Sequence, residues 1–103
     1  MKHHANSHEN DAEHHLYGIF DVERNGIYKF GICGKPLLKD GSSIRANEQV
    51  ALFNRVVGMN RFFPIIFLTG ISGRLRAEEI ENDYINDYRE KNGYNPPGNL
   101  PRK

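Results

Sequence analysis

The hydrophobic residues of this chain fall into short runs that polar, turn-forming residues separate. Two runs near the N-terminus, roughly His15 to Val22 and Ile27 to Cys33, are predicted to be β-strands with one tyrosine in each. The polar residues between them end in Asn25-Gly26, a dipeptide that favours the positive φ angles of a tight turn. The two strands are therefore predicted to form a β-hairpin.

The segment from Ile44 to Val57 has apolar residues at the spacing of an amphipathic helix. Its core-facing stripe is predicted to be Ala46, Val50, Phe53 and Val57. Ser42 or Ser43 is a suitable N-cap, because a hydroxyl oxygen can accept a hydrogen bond from a free amide of the first turn. Arg45 and Gln49 are one turn apart beside this stripe, so their side chains are expected to point the same way.

The remaining apolar positions predict a third strand and a second helix. The run from Phe62 to Thr69 is apolar on both faces, as a covered central strand would be, and Pro64 is expected at its beginning or at a bulge. The helix is predicted from about Arg74 to Lys91, with Ser72 as a candidate N-cap. Its apolar stripe is Ala77, Ile80, Tyr84, Ile85 and Tyr88. These elements together place the chain in the α+β class.

The chain is predicted to be one small domain that follows a polar tail. Residues 1–14 lack periodicity and are expected to be flexible, so the domain is placed at residues 15–103. Five histidines in or next to the tail could bind metal adventitiously or belong to a linker: His3, His4, His8, His14 and His15. No secretory signal is visible at the start, and no apolar run approaches the roughly 20 residues of a membrane span.

Composition and charge limit the kinds of site that this chain can contain. Cys33 is the single cysteine, which excludes an internal disulfide and a four-cysteine zinc site. The net charge is only +1, but nine Lys or Arg and two acids lie between Arg24 and Arg76, whereas six acids and one base lie between Glu78 and Glu90. This distribution fits a surface for a polyanion beside a carboxylate site that could hold a metal. An ordinary solvated surface is the alternative.

Glu81 is the most informative single residue. It falls within the apolar stripe of the second predicted helix, between Ile80 and Ile85. A carboxylate there is costly to bury unless it is paired or binds a cation. Two interpretations are open: a salt bridge to Arg45 or Lys29, or a ligand for a hard divalent ion such as Mg²⁺, which tolerates one protein carboxylate.

Taken together, these residues resemble the GIY-YIG nuclease superfamily. That family has a hairpin, a helix, a third strand and a last helix in this order, which implies a three-stranded, mostly antiparallel sheet flanked by helices. The matching positions are Tyr17, the segment Lys29-Phe30-Gly31, Arg45, Glu81 and Asn95, with Asn99 as a second choice. Two positions depart from the usual pattern: Lys29 replaces a tyrosine, and Gln49 stands where a histidine is frequent.

A narrower resemblance is to the URI-type nuclease toxin domains of bacterial polymorphic toxins. It rests on three segments, YKFGICG, SIRANEQV and NPPGN. The resemblance implies that the chain is the toxic tip of a larger secreted protein. Such a tip is delivered into a target cell, acts in the cytoplasm and is neutralised by a dedicated immunity protein. No membrane partner is expected.

The resemblance also implies a reaction, the hydrolysis of phosphodiester bonds in nucleic acid, DNA more than RNA. One Mg²⁺ or Mn²⁺ ion would be held by Glu81, and Arg45 would stabilise charge on the phosphate. Tyr17 would position or deprotonate the attacking water, and Asn95 would orient the substrate or brace the site. Lys29 would either assist Tyr17 by lowering the tyrosine pKa or contact the phosphate directly. Residues expected to hold the nucleic-acid backbone are Lys35, Lys39, Arg55, Arg74 and Arg76.

Three alternatives stay open from the sequence. The changes at Lys29 and Gln49 would suit a catalytically inactive derivative that still binds nucleic acid. A stand-alone repair or restriction-type nuclease would carry the same motifs. A domain that only contacts other proteins would need neither metal nor nucleic acid.

Overall fold

A computed structural model describes residues 11–99 and confirms the α+β class. The elements in chain order are β1 (Glu13–Asp21), β2 (Gly26–Cys33), α1 (Ile44–Val57), β3 (Phe62–Ser72) and α2 (Arg74–Asn92). Within this part of the chain, neither helix is long and apolar enough to cross a membrane. The predicted tail lies largely outside the described residues, and so do His3, His4 and His8.

The three strands form one antiparallel sheet in the order β2-β1-β3. The central strand is β1, and the prediction that the third strand would be central is wrong. Strand β3 lies at an edge, where most of its side chains stay partly or largely exposed. Pro64 is its third residue and pairs with Ile19. An edge tolerates proline because the missing N–H is not needed by a further strand.

Strand β1 begins at Glu13, two residues earlier than predicted. His14 therefore belongs to the central strand rather than to the tail, together with His15, and the two residues are 1% and 3% exposed. His14 Nδ1–H donates a hydrogen bond to the carbonyl oxygen of Ala12 (2.6 Å), and its ring lies against Gly34. The burial and hydrogen bond of His14 are consistent with its place in the strand rather than in the predicted tail.

Alternate residues of β1 enter two separate cores, one under each helix. Tyr17 and Ile19 pack in the core that α1 covers through Ala46, Val50 and Phe53. Leu16 packs in the core that α2 covers through Ala77, Ile80 and Tyr84. Val57, predicted in the stripe of α1, is instead 41% exposed. The sheet thus separates two apolar layers, and each layer fixes one helix.

The ends of α1 follow the signals in the sequence. Ser43 Oγ accepts a hydrogen bond from the amide of Ala46 (3.2 Å), and Gly58 ends the helix with a left-handed φ of 73°. The predicted cap of α2 is wrong. Gly73 occupies the N-cap position without a side-chain hydrogen bond, because Ser72 is still the last residue of β3.

A buried carboxylate organises the hairpin turn. Asp21 is fully buried, and its Oδ1 accepts hydrogen bonds from the amides of Glu23 and Arg24. Arg61, just before β3, donates from Nε to Oδ1 (2.9 Å) and from Nη2 to Oδ2 (2.8 Å). Asn25 adopts the positive φ expected of the turn, 54°. Asp21 therefore joins the hairpin turn to the beginning of β3.

Candidate active site

Tyr17 lies at the centre of the site, in the middle of β1. Its side chain is 1% exposed, and its hydroxyl donates a hydrogen bond to Gln49 Oε1 of α1 (3.0 Å). Tyr17 pairs with Gly31 of β2, and the phenol ring lies directly over that glycine. The strand pairing and the hydrogen bond together hold the phenol in one orientation.

Replacing Gly31 by alanine is expected to displace Tyr17. A Cβ atom at Gly31 would lie 2.3 Å from Tyr17 Cζ and 2.4 Å from its hydroxyl oxygen. The buried ring cannot rotate away, so we expect a loss of about 2 kcal/mol in the free energy of unfolding, as for an overpacked core. Urea unfolding followed by circular dichroism measures it.

Gly26→Ala, in the same strand, is the matched control for Gly31→Ala. The nearest atom to a Cβ at Gly26 is a backbone oxygen 3.9 Å away, which is ordinary contact. We expect this control to unfold like the parent protein. Equal stability of the two variants would contradict the placement of the Tyr17 ring over Gly31.

Charged groups from three elements surround the phenol of Tyr17. Arg45 of α1 and Glu81 of α2 both act electrostatically on it. The same two residues act on Lys29 of β2, whose half-buried position lowers the pKa of its ammonium group, with Glu81 partly opposing that shift. Arg45 and Glu81 thus act on both Tyr17 and Lys29, which brings two cations and one carboxylate into one neighbourhood. The net charge of these three side chains is positive, and this favours the binding of an anion such as a phosphate.

The phenol of Tyr17 is protonated in the free protein. Burial raises its pKa to about 12, and the positive charge of Arg45 only partly opposes this effect. This differs from the interpretation in which Lys29 lowers the tyrosine pKa. The hydroxyl therefore acts at neutral pH through hydrogen bonds: its proton is directed at Gln49, and its oxygen has the capacity to accept from a donor.

His15 is a site residue that the sequence analysis missed. It lies two residues before Tyr17, so its ring is on the same face of β1, with 6.3 Å between the ring centroids. Burial lowers the pKa of its imidazole, and the charges of His14 and Arg45 add to this. Among the described residues its Nε2 atom has no hydrogen-bond partner. The spacing of the two residues in a strand is the signal that could have found it.

Glu81 has the chemistry that suits the single divalent ion implied by the resemblance. It is a half-buried carboxylate, and Mg²⁺ is typically held by one or two carboxylates while it keeps several waters. No group of three or more His, Cys, Asp or Glu residues able to hold a metal occurs in residues 11–99. The donor set therefore fits an oxygen-preferring ion rather than a zinc cage.

The sequence of this chain matches the model of a known family. The profile of the Tox-URI2 family, described as URI fold toxin 2, matches residues 7–93. The chain belongs to the URI fold toxin 2 family. This membership confirms the resemblance to URI-type nuclease toxin domains and identifies the chain as a toxin domain of nuclease type. No curated protein and no solved structure gives a significant match.

The URI fold toxin 2 match covers Tyr17, Lys29, Arg45, Gln49 and Glu81 but ends before Asn95. These five residues are the ones that contacts and electrostatics bring together in the structure. They come from β1, β2, α1 and α2. The site therefore lies wholly inside the part of the chain that the family shares.

Asn95 braces the segment that follows α2. Its Oδ1 accepts a hydrogen bond from Arg89 (3.2 Å), and its Nδ2 donates to the carbonyl of Asn99 (3.1 Å). Asn99 in turn bonds both backbone groups of Phe30, at 2.7 and 2.9 Å. These contacts fix the chain beside Lys29. Of the two roles implied for Asn95, they support bracing.

The basic residues expected to hold the backbone of nucleic acid fall into two groups. Three of them are exposed and form no ion pair with another residue of the described range 11–99, namely Lys35, Lys39 and Arg55. Arg74 and Arg76 instead form ion pairs within α2, with Glu78 (3.4 Å) and Glu79 (3.5 Å). The first group is therefore better placed for phosphate contacts than the second.

Proposed function

We propose that this domain is a metal-dependent endonuclease that hydrolyses phosphodiester bonds, in DNA more than in RNA. The observation that carries the proposal is the convergence of Tyr17, Lys29, Arg45, Gln49 and Glu81 from four elements on one buried tyrosine. Membership of a toxin family with a nuclease-type fold supports the same reaction.

Glu81 would hold one Mg²⁺ or Mn²⁺ ion. When bound, such an ion stabilises negative charge that develops on a phosphate in the transition state. The carboxylate lies among cations and beside Tyr17, which would place the ion where an anionic substrate is attracted.

Lys29 and Arg45 would bind the scissile phosphate. The planar guanidinium of Arg45 can donate two parallel hydrogen bonds to phosphate oxygens. Lys29 is half-buried, so its charge is less screened by solvent than that of a surface lysine. The two cations would orient the phosphate and offset its charge as the bond to the attacking oxygen forms.

Tyr17 would orient the attacking water. Its proton is directed at Gln49 Oε1 (3.0 Å), so an oxygen lone pair remains to accept a hydrogen bond from that water. The raised pKa of Tyr17, about 12, makes the phenol a hydrogen-bonding group rather than a free phenolate base at neutral pH. Gln49 would keep the hydroxyl in the required orientation.

We further propose a biological setting for the reaction. The domain would be the toxic tip of a larger bacterial polymorphic toxin, delivered into a target cell and active in its cytoplasm. Uncontrolled hydrolysis of nucleic acid would also harm the producing cell, so a cognate immunity protein is the expected partner. Membership of a toxin family supports this setting.

The first test is cleavage of supercoiled plasmid by the purified protein with Mg²⁺, and with EDTA as the control. We expect nicked and linear products with Mg²⁺ and none with EDTA. An RNA substrate in the same assay tests the preference for DNA. An absence of cleavage on both substrates, with binding that weakens steeply as salt rises, would favour the inactive nucleic-acid-binding derivative instead.

A further inference from the structure

Arg24, Tyr88 and Tyr94 form a cluster outside the site, which we call the tyrosine-arginine cluster. Arg24 of the hairpin turn donates a hydrogen bond from Nη2 to the hydroxyl of Tyr88 (3.3 Å) and from Nη1 to the carbonyl of Ile27 (3.4 Å). The rings of Tyr88 and Tyr94 are 6.2 Å apart, edge to face. A positive charge is thus fixed beside two aromatic rings.

Tyr94 is exposed although it is a large aromatic residue. It directly follows Gly93, whose left-handed φ of 83° ends α2 and turns the chain back toward Tyr88. More than half of its side chain, 55%, remains open to solvent. This exposure leaves ring surface on which a planar group can stack.

The cluster is aligned with Glu81 along α2. Tyr88 follows Glu81 by seven residues, which is nearly two helical turns, so the two side chains leave the helix on the same side about 10 Å apart. Tyr88 also touches the ring of Phe30, with 6.5 Å between centroids, and Phe30 is the neighbour of Lys29 in β2. The tyrosine-arginine cluster thus lies next to α2 and β2, the elements that carry Glu81 and Lys29 of the candidate active site.

A nucleotide strand has the chemistry that this cluster can bind. Its bases stack on exposed aromatic rings, and its phosphates pair with a guanidinium. Stacked nucleotides in one strand rise about 3.4 Å each, so about 10 Å corresponds to roughly three nucleotides. A strand bound at Glu81 that continues along α2 to Tyr88 would bring a following base to Tyr94, whose ring is 6.2 Å from that of Tyr88.

We propose that the tyrosine-arginine cluster binds an unpaired nucleotide of the substrate strand, several nucleotides from the cleaved bond. The base stacks on Tyr94, and Arg24 contacts the adjoining phosphate. The inference rests on the proposed nuclease function and adds a substrate preference to it. Strands with unpaired bases next to the cleaved bond would bind more tightly than a closed duplex.

Binding measured without cleavage tests this proposal. Fluorescence anisotropy with a labelled single-stranded DNA oligonucleotide in EDTA compares the parent with Tyr94→Ala, Tyr94→Phe and Arg24→Gln over a range of salt. We expect Tyr94→Ala to weaken binding about tenfold at every salt concentration, because stacking is lost. Tyr94→Phe should bind like the parent. Arg24→Gln should make the salt slope shallower by about 0.7, the value for one phosphate contact on a single strand.

Leu75→Ala is the matched surface control, since Leu75 is a similarly exposed apolar residue (58%) at the other end of α2. It should bind like the parent, and an abasic oligonucleotide should remove the difference between Tyr94→Ala and the parent. Thermal melting confirms that each variant is folded. Equal binding by Tyr94→Ala and the parent overturns the proposal and leaves the cluster as a surface for protein contacts.

The two proposals fail in different ways. A parent protein that cleaves plasmid but binds the oligonucleotide independently of Tyr94 contradicts only the role of the cluster. A parent protein whose binding depends on Tyr94 but which cleaves nothing contradicts only the nuclease activity. A parent protein that does not bind the oligonucleotide overturns the role of the cluster.

Discussion

Replacement of Glu81 by glutamine is expected to reduce Mg²⁺-dependent cleavage on the order of 10³-fold. Glutamine keeps the size of the side chain but removes the negative charge that would hold the ion. A metal contributes several kcal/mol of charge stabilisation in the transition state, and each 1.4 kcal/mol corresponds to about a tenfold change in rate. Plasmid cleavage over a range of Mg²⁺ concentrations measures the loss.

Glu79→Gln is the matched control for this prediction. Glu79 lies on the same helix, is exposed and forms an ion pair with Arg76, so the substitution removes the same charge away from the site. It should cleave like the parent. Full activity of Glu81→Gln would mean that the metal, if one is needed, is held elsewhere, and the proposed role of Glu81 would then be wrong.

The substitution Asp21→Ala is expected to have the second large effect, a loss of stability. The variant loses two hydrogen bonds from Arg61 and two from backbone amides of the turn. We expect the free energy of unfolding to fall by about 3 kcal/mol, because partly buried donors lose a charged acceptor. Urea unfolding gives the value. Asp40→Ala, which removes an exposed carboxylate bound to Ser42, should change stability little.

The contribution of Asp21 should also depend on pH. The hydrogen bonds from Arg61 hold the pKa of this carboxyl below its ordinary value of 3.8 in the folded protein. The folded state therefore favours the ionised form, and the stabilisation is complete above the unfolded pKa of about 3.9. It is lost as the pH falls below that value through the folded pKa. The stability difference between parent and Asp21→Ala should accordingly shrink only below about pH 4.

Local signals made much of the fold predictable. The bounds of α1 agree with the prediction at both ends, because a serine cap and a left-handed glycine act within a few residues of the helix ends. The hairpin was equally predictable from the sequence, since its turn depends on Asn25 and on residues next to it. Glu81 stood out because a carboxylate in an apolar stripe conflicts with the pattern around it.

The features that the sequence analysis missed depend on contacts between distant parts of the chain. Strand β3 is apolar on both faces, yet its place at the sheet edge follows from the pairing of β1 with both other strands. The first strand was predicted to begin at His15, so the spacing already placed this residue on the same face as Tyr17, but the burial of its ring depends on the packing of the whole domain. Arg24 and Tyr88 are 64 positions apart in the sequence, so their contact cannot be predicted from local spacing.

The position of β1 has a consequence for how this toxin becomes active. The first strand in the sequence is the middle strand of the sheet, and it pairs Asp21 with Phe62 and Glu13 with Ser72 of the last strand. Such pairings close long loops, so they form late and cooperatively during folding. Tyr17 becomes buried only when they exist. A chain that reaches its target cell unfolded would therefore remain inactive until nearly the whole domain has entered the cell and folded. The proposed nuclease activity would then appear in a single step.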